Sequence, residues 1–374
     1  MPLVAVVVFT DAMLFAALIP LLPEYVDDLG LSKLGAGVLL GAYGAGAIVG
    51  GLPGGLMAAR IGPKRTVLAG LVVLAVASAA FALAGGAAAL GLSRFAQGVA
   101  SGITWGGALT WIAVETPRER RGQTLGTVFG FAVLGFITGP IVGAAAELTS
   151  IRGAFLGVAG VTTLLALVAA THPAAPPEPR HEGAIRRALA DRAFVGGLWL
   201  TMLPALFFGV LDVLAPLALD EAGWTALAIA AVFVSAGLIE VVLNPVLGRV
   251  SDRRGRLYPI RLALMGSVVV ATALALATQP FMVAGLALAA ALAFGGFYTP
   301  SMALVSDRAE RHGLPQGLGF GVMNSAWATG AMVGPVVGGA LAHGLGDAAP
   351  YLLCAALCAV TLASLRRARE ARLA

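Results

Sequence analysis

Apolar residues run along this chain in blocks of about twenty, separated by short polar intervals rich in Gly, Pro and Arg. Twelve blocks lie near 3–23, 35–58, 66–86, 89–113, 122–146, 152–171, 194–219, 225–248, 258–278, 281–305, 315–343 and 348–365. At the rise of an α-helix, a block of this length crosses the hydrocarbon core of a bilayer. Each therefore predicts a transmembrane helix. The longest polar interval, His172 to Arg192, opens with Pro173, Pro176, Pro177 and Pro179 and then carries Arg180, Arg186, Arg187 and Arg192. It reads as a linker that ends in a short helix on the membrane surface. The expected organisation is an all-α membrane protein of twelve helices in two pseudo-symmetric six-helix bundles, 1–171 and 194–374, joined by a cytoplasmic linker at 172–193.

Composition agrees with lipid as the surrounding medium. Charged residues make up 11% and hydrophobic residues 59% of the 374, against about 25% charged in a soluble domain. The excess of 24 Lys and Arg over 19 Asp and Glu does not indicate nucleic acid, because the basic residues sit in alternate loops. One side collects Arg60, Lys64, Arg65, Arg118, Arg120 and Arg121, the four linker arginines, and Arg249, Arg253, Arg254, Arg256, Arg261, Arg308 and Arg311. Arg366, Arg367, Arg369 and Arg372 join them, while the opposite side holds only Lys33 and Arg152. The positive-inside rule then places both termini in the cytoplasm. No Lys or Arg precedes Lys33, so no secretory signal is expected.

Two motifs repeat at nearly one spacing. The loop after span 2 reads Gly55-Leu-Met-Ala-Ala59-Arg60-Ile-Gly62-Pro-Lys64-Arg65, and the loop after span 8 reads Gly248-Arg-Val-Ser-Asp252-Arg253-Arg-Gly255-Arg256, 193 residues on. Span 5 carries Gly135, Gly139, Pro140 and Gly143; span 11 carries Gly330, Gly334, Pro335 and Gly338, 195 residues on. An internal repeat of this kind predicts two halves on a common plan, as in secondary transporters. Glycines four residues apart let helices approach closely, and proline bends a span that its neighbours can satisfy.

These residues resemble the major facilitator superfamily over the whole chain. The glycine- and arginine-bearing loop, present twice, looks like that superfamily's signature at the cytoplasmic gate. The second copy is complete, whereas the first has Ala59 where the family has Asp, so the first half is expected to lack one charged latch. Arg94-Phe-Ala-Gln97-Gly98 in span 4, the Gly-Pro element of span 5, and Asp11 followed by Ile19-Pro20-Leu-Leu-Pro23 make the chain most similar to twelve-helix drug:proton antiporters. The resemblance implies a proton-coupled exporter of small lipophilic or cationic molecules, monomeric, with no cofactor and no metal. Its partners are small-molecule substrate, protons and the lipid bilayer of the inner or plasma membrane.

Charges at membrane depth are costly unless paired or hydrated. Asp11, ~12 Å into span 1 at 1.5 Å per residue, reads as a proton or cation site, or as an acid bonded to a neighbouring helix. Glu240, with Asn244 one turn on, is either a second proton carrier or a partner of a polar group. Asp212 is expected at an exposed rim near the outer end of span 7. Arg94 cannot lose its proton and either tunes a nearby acid by its charge or bonds to backbone. On span 4, Arg94, Gln97, Ser101 and Trp105 share one face. Phe15, Phe208, Tyr298 and Trp327, with Ser101, Trp105 and Asn324, are candidates for a substrate wall. There is no phosphate-cradling Gly-Lys-Ser/Thr loop and no enzyme constellation. Two rivals stay open: an importer or facilitator of a sugar or acid metabolite on the same fold, and a non-transporting receptor or scaffold.

Overall fold

A computed structural model of the protein describes residues 2–117, 120–173, 183–314 and 316–370. Arg118, Arg372 and the linker stretch holding Pro176, Pro177, Pro179 and Arg180 lie outside them. Among the described residues every regular element is helical: α1 Pro2–Ala17, α2 Leu22–Leu29, α3 Lys33–Ile61, α4 Pro63–Leu83, α5 Ala87–Glu115, α6 Arg121–Thr149 and α7 Ile151–Thr171 precede the linker. The short α8, Ala184–Ala190, is followed by α9 Arg192–Glu221, α10 Ala226–Arg254, α11 Leu257–Ala275, α12 Pro280–Ala293, α13 Tyr298–Arg311, α14 Gln316–Leu345 and α15 Ala348–Glu370. Ten spans are long and apolar enough to cross a membrane, with α12 and α13 counted as one, and the bent pair α1–α2 makes an eleventh. The 29-residue α5, packed between α3 and α4, supplies the twelfth; its Arg94, Gln97 and glycines make it less apolar than the rest.

Helix ends follow local chemistry. Ser32, Ser150 and Thr225 each cap a helix by accepting from the backbone N–H three residues on, the usual satisfaction of an N-terminal donor. Gly62 and Gly255 have φ of 89° and 84°, where a side chain is strained, so the chain can leave α3 and α10 and enter the next helix at once. The two glycines are the 193-residue repeat in physical form.

Small residues set the helix contacts. In α6, a Cβ at Gly139 would come within 2.6 Å of the Met13 carbonyl and 2.7 Å of Ala16 Cβ on α1. In α14, a Cβ at Gly334 would overlap the Leu206 backbone of α9. Gly135 and Gly143 meet α1, and Gly330 and Gly338 meet α9, in the same fashion. Pro140 and Pro335 sit inside these helices, with the Pro335 ring against Gly209. The linker's last turn is not free: Ala184 and Ala188 of α8 are fully buried in a cluster with Phe194, Val305, Ala309 and Met323. Asp191 anchors that corner, accepting from Ala193 N–H at 2.8 Å and facing His312 at 3.0 Å and Arg308 at 3.7 Å.

Away from the arginine-rich loops, α3 and α14 close on each other. Gly37 faces the Pro335 backbone, and a Cβ at Gly41 would lie 2.7 Å from Val336. At the rim, Lys33 Nζ donates to both carboxylate oxygens of Asp347 at 2.8 Å and lies 3.9 Å from Glu221.

Candidate functional site: a buried acid beside two joined cavities

The break between α1 and α2 builds the site. Pro20 has no N–H to continue the helix, and the two segments meet at 49°. The helix ends here, Ala16 O taking the Ile19 N–H at 3.2 Å, and its terminal carbonyls present a partial negative charge that attracts a cation. Arg94, 0% exposed, fills this need: it donates to Leu14 O at 3.1 Å, Phe15 O at 2.6 Å and Gln97 Oε1 at 3.2 Å. Its guanidinium lies 4.7 Å from the Tyr43 ring centre, while its Nε–H has no partner among the described residues. Gln97 passes the chain on to Ser78 at 3.3 Å. Arg94 thus bonds to backbone, and no hydrogen bond joins it to Asp11.

Asp11 is 2% exposed. Its Oδ1 accepts from Tyr43 Oη at 2.9 Å, and its Oδ2 accepts from Ser101 Oγ at 2.7 Å and Trp105 Nε1 at 2.8 Å. Three donors from α3 and α5 thus hold one carboxyl on α1, and Tyr43 joins it to Arg94 by presenting its hydroxyl to one and its ring face to the other. Tyr43 escaped the sequence reading. Its signal was there, a lone polar-tipped aromatic in the glycine-rich span 2, but only the packing of α3 on α5 aims it at Asp11.

The acid borders a chamber of about 1000 Å³. Phe15, Ser101, Trp105, Tyr298, Asn324 and Trp327 all line it, as do Phe129, Phe136 and Phe320. Phe15 stands 5.1 Å from Tyr43, 5.6 Å from Phe136 and 5.4 Å from Trp327, ring centre to ring centre. The lining comes from α1, α3 and α5 and from the first half of α6, the second half of α10, α13 and the start of α14, the last four reaching toward the arginine-rich end. With α3 and α14 closed at the other end, the chamber is accessible from the arginine-rich side.

A second cavity of about 210 Å³ shares Phe15, Phe136, Asn244, Tyr298 and Trp327 with the first and adds Phe208, Asp212 and Glu240. Asp212 corrects the expectation of an exposed rim: it is 8% exposed. The reason is that α9 is one of the most enclosed helices, with α14, α13 and α3 all packed on it, so depth along the helix was a poor guide to exposure. Glu240 sits against the glycine turn between α12 and α13, where a Cβ at Gly295 would lie 2.8 Å from its Oε1. Asn244 accepts from Thr299 at 2.9 Å.

The gate motifs are far from these cavities except at Gly248, which touches the chamber. Asp252 pairs with Arg256 rather than with Arg253, and Arg256 also donates to Asp307 on α13 at 3.1 Å. By the repeat, Pro63 stands in the place of Arg256. The first copy therefore lacks both members of the pair, and Asp at 59 alone would have no i+4 arginine to meet. There, beyond Gly55 and Arg60, Lys64 donates to the carbonyls of Ala170 and His172, tying the α3–α4 turn to the end of α7.

The sequence matches the Major Facilitator Superfamily over residues 4–320, and the chain belongs to that family. It is thus a multi-pass membrane transporter. Similar relatives include the MFS-type transporter ppzB of Metarhizium majus, 29% identical over 141 residues, covering 36% of this chain and 31% of that protein. Quinolone resistance protein NorA of Staphylococcus aureus is 31% identical over 150 residues, 40% of this chain and 38% of NorA. The matched stretch spans about a third of these relatives' own length. Among solved structures, a bacterial homologue of the human lysosomal transporter Spinster superposes with a TM-score of 0.78 at 14% identity, covering 96% of this chain and 94% of that one. A D-xylose-proton symporter gives 0.74 at 17% identity, with 96% and 95% covered. These likenesses establish the fold.

Proposed function

We propose that the protein is a proton-coupled exporter of small lipophilic molecules, alternating access to the chamber between its two six-helix halves, with both termini in the cytoplasm of a cell whose plasma or inner membrane it spans. The observation that carries this is Asp11: a carboxyl inside the membrane core, held by three donors and bordering the chamber. A packing acid has no reason to adjoin the transport path. Oδ2 accepts two hydrogen bonds and Oδ1 only one, so a proton arriving at Oδ1 needs one hydroxyl, that of Tyr43, to turn from donor to acceptor. Arg94 then acts as a positioning residue, fixing the broken end of α1 that carries Asp11. The arginine-rich end is cytoplasmic by the distribution of basic residues, so the state described is open to the cytoplasm. Similarity to the quinolone resistance protein favours export, and the aromatic walls of the chamber favour lipophilic cargo over a sugar, which would need more hydrogen-bonding groups along its path.

Asp11→Asn keeps shape and hydrogen bonding while removing titration. In reconstituted vesicles it should abolish pH-gradient-driven efflux of a lipophilic dye while leaving dye binding within about twofold, since the binding surface is preserved. Wild-type efflux rates from the variant would defeat the assignment.

A further inference from the structure

Among the described residues neither cavity is lined by a cationic side chain, and yet two carboxyls face the smaller one. Asp11 has three protein donors; among the described residues Asp212 has none, although it is only 8% exposed, and Glu240 has none either. Other polar groups there do little to help. The Asn244 Oδ1 is already occupied by Thr299, leaving its amide, the Tyr298 hydroxyl and the Trp327 indole N–H as the remaining side-chain donors among the described residues of the wall. A carboxylate in so apolar a place is retained at a cost unless something cationic meets it.

We infer that Asp212, assisted by Glu240, forms a subsite for the protonated nitrogen of an amphiphilic organic amine, distinct from the proton site at Asp11. Phe208, Tyr298 and Trp327 supply ring faces around the same space, and ring faces attract an ammonium group. The 210 Å³ pocket takes a short cationic arm, and the shared wall of Phe15, Phe136 and Trp327 leads directly to the 1000 Å³ chamber, which takes an apolar body. Gly295 is part of the design, because any side chain there would displace the Glu240 carboxyl. This subsite rests on the reading of the chain as a carrier of lipophilic molecules and names their chemistry; it does not depend on proton coupling.

The test is equilibrium binding to purified protein without a pH gradient. The probes are a dansyl amide with a 3-(dimethylamino)propyl arm and its uncharged 4-methylpentyl counterpart. Wild type should bind the amine about tenfold or more tightly than the isostere, the scale of one charge-assisted contact. Asp212→Asn should erase that preference while changing isostere binding by less than about twofold, and Asp11→Asn should retain it. Equal affinity of wild type for the two probes, or equal loss of both in Asp212→Asn, overturns the subsite. If Asp212→Asn does not fold, dicyclohexylcarbodiimide modification of Asp212 in wild type, located by peptide mass, gives the answer. The amine should slow it about tenfold and the isostere should not; absence of protection sinks the proposal. Absence of pH-gradient-driven efflux from wild type, with intact probe discrimination, would instead strike down the coupling reading alone.

Discussion

Lys33 offers the most direct handle on conformational balance. Its ammonium group bridges the start of α3 to Asp347, beyond the end of α14, at 2.8 Å to each carboxylate oxygen. Exposure decides the magnitude: the Lys33 side chain is 28% exposed, Asp347 44% and Glu221 67%. Pairs this wet contribute about 0–1 kcal/mol, and the two-oxygen geometry puts Lys33–Asp347 near the upper end. The more distant and more exposed Glu221 adds little. Lys33→Gln keeps the reach and removes the charge, so it should shift the equilibrium toward the state open at this rim by about fivefold, the equivalent of ~1 kcal/mol. Spin labels at Asp28 and His343, in a background where Cys354 and Cys358 are replaced, would report the separation of the two halves in distance distributions. Asp347→Asn should give the same shift, and the double substitution should add nothing further, since both break one pair. Raising salt to ~1 M should move wild type part of the way, because screening at that strength acts within ~3 Å. Unchanged distributions in Lys33→Gln, or additive effects of the two substitutions, would refute a latch at this position.

Further outcomes follow from the same geometry. Tyr43→Phe removes one donor from Asp11 and should slow pH-driven efflux about tenfold, the scale of a lost hydrogen bond to a charged group, with substrate binding unchanged by titration calorimetry. Ala59→Asp should move the melting temperature of the purified protein by less than about 1 °C, since an unpaired surface charge is worth under ~0.5 kcal/mol, whereas Arg256→Gln, which loses Asp252 and Asp307 together, should lower it by several degrees. The hydrogen bond from His312, with help from the Ala193 N–H and Arg308, holds the Asp191 carboxyl below its ordinary 3.8. A depressed acid stabilises the fold above its ordinary value and stops doing so as pH falls through the folded one, so the melting difference between wild type and Asp191→Asn should be full at pH 6 and shrink below pH 4; a constant difference would contradict this.

The spans, their repeat and the polar face of span 4 were legible because each is a local pattern: apolar length, a recurring glycine spacing, a helical stripe through Arg94, Gln97, Ser101 and Trp105. Asp11 announced itself by the cost of its position. What the sequence withheld was adjacency. Nothing in span 2 says that Tyr43 faces Asp11 rather than lipid, and nothing in span 7 says that Asp212 looks into a cavity instead of out of one. Arg256 was likewise visible, but the choice by Asp252 of Arg256 over the nearer Arg253 depends on the turn that Gly255 permits. Helix identity is written along one segment; which helices meet, and on which faces, is a property of the whole bundle.

The seam between α3 and α14 has a consequence for how such a carrier changes over time. At Gly37 and Gly44 the two backbones meet with no side chain between them, so there is nothing at these positions to trim or exchange by small steps. Every substitution adds atoms, and every added atom pries the halves apart on the same side. The rim at Lys33, Asp347 and Glu221 is different, since each charge can be strengthened, weakened or reversed independently. Selection that adjusts how long the chamber stays closed at this end therefore finds graded variation chiefly at the rim, while the bare glycine contacts of the seam tolerate glycine or nothing.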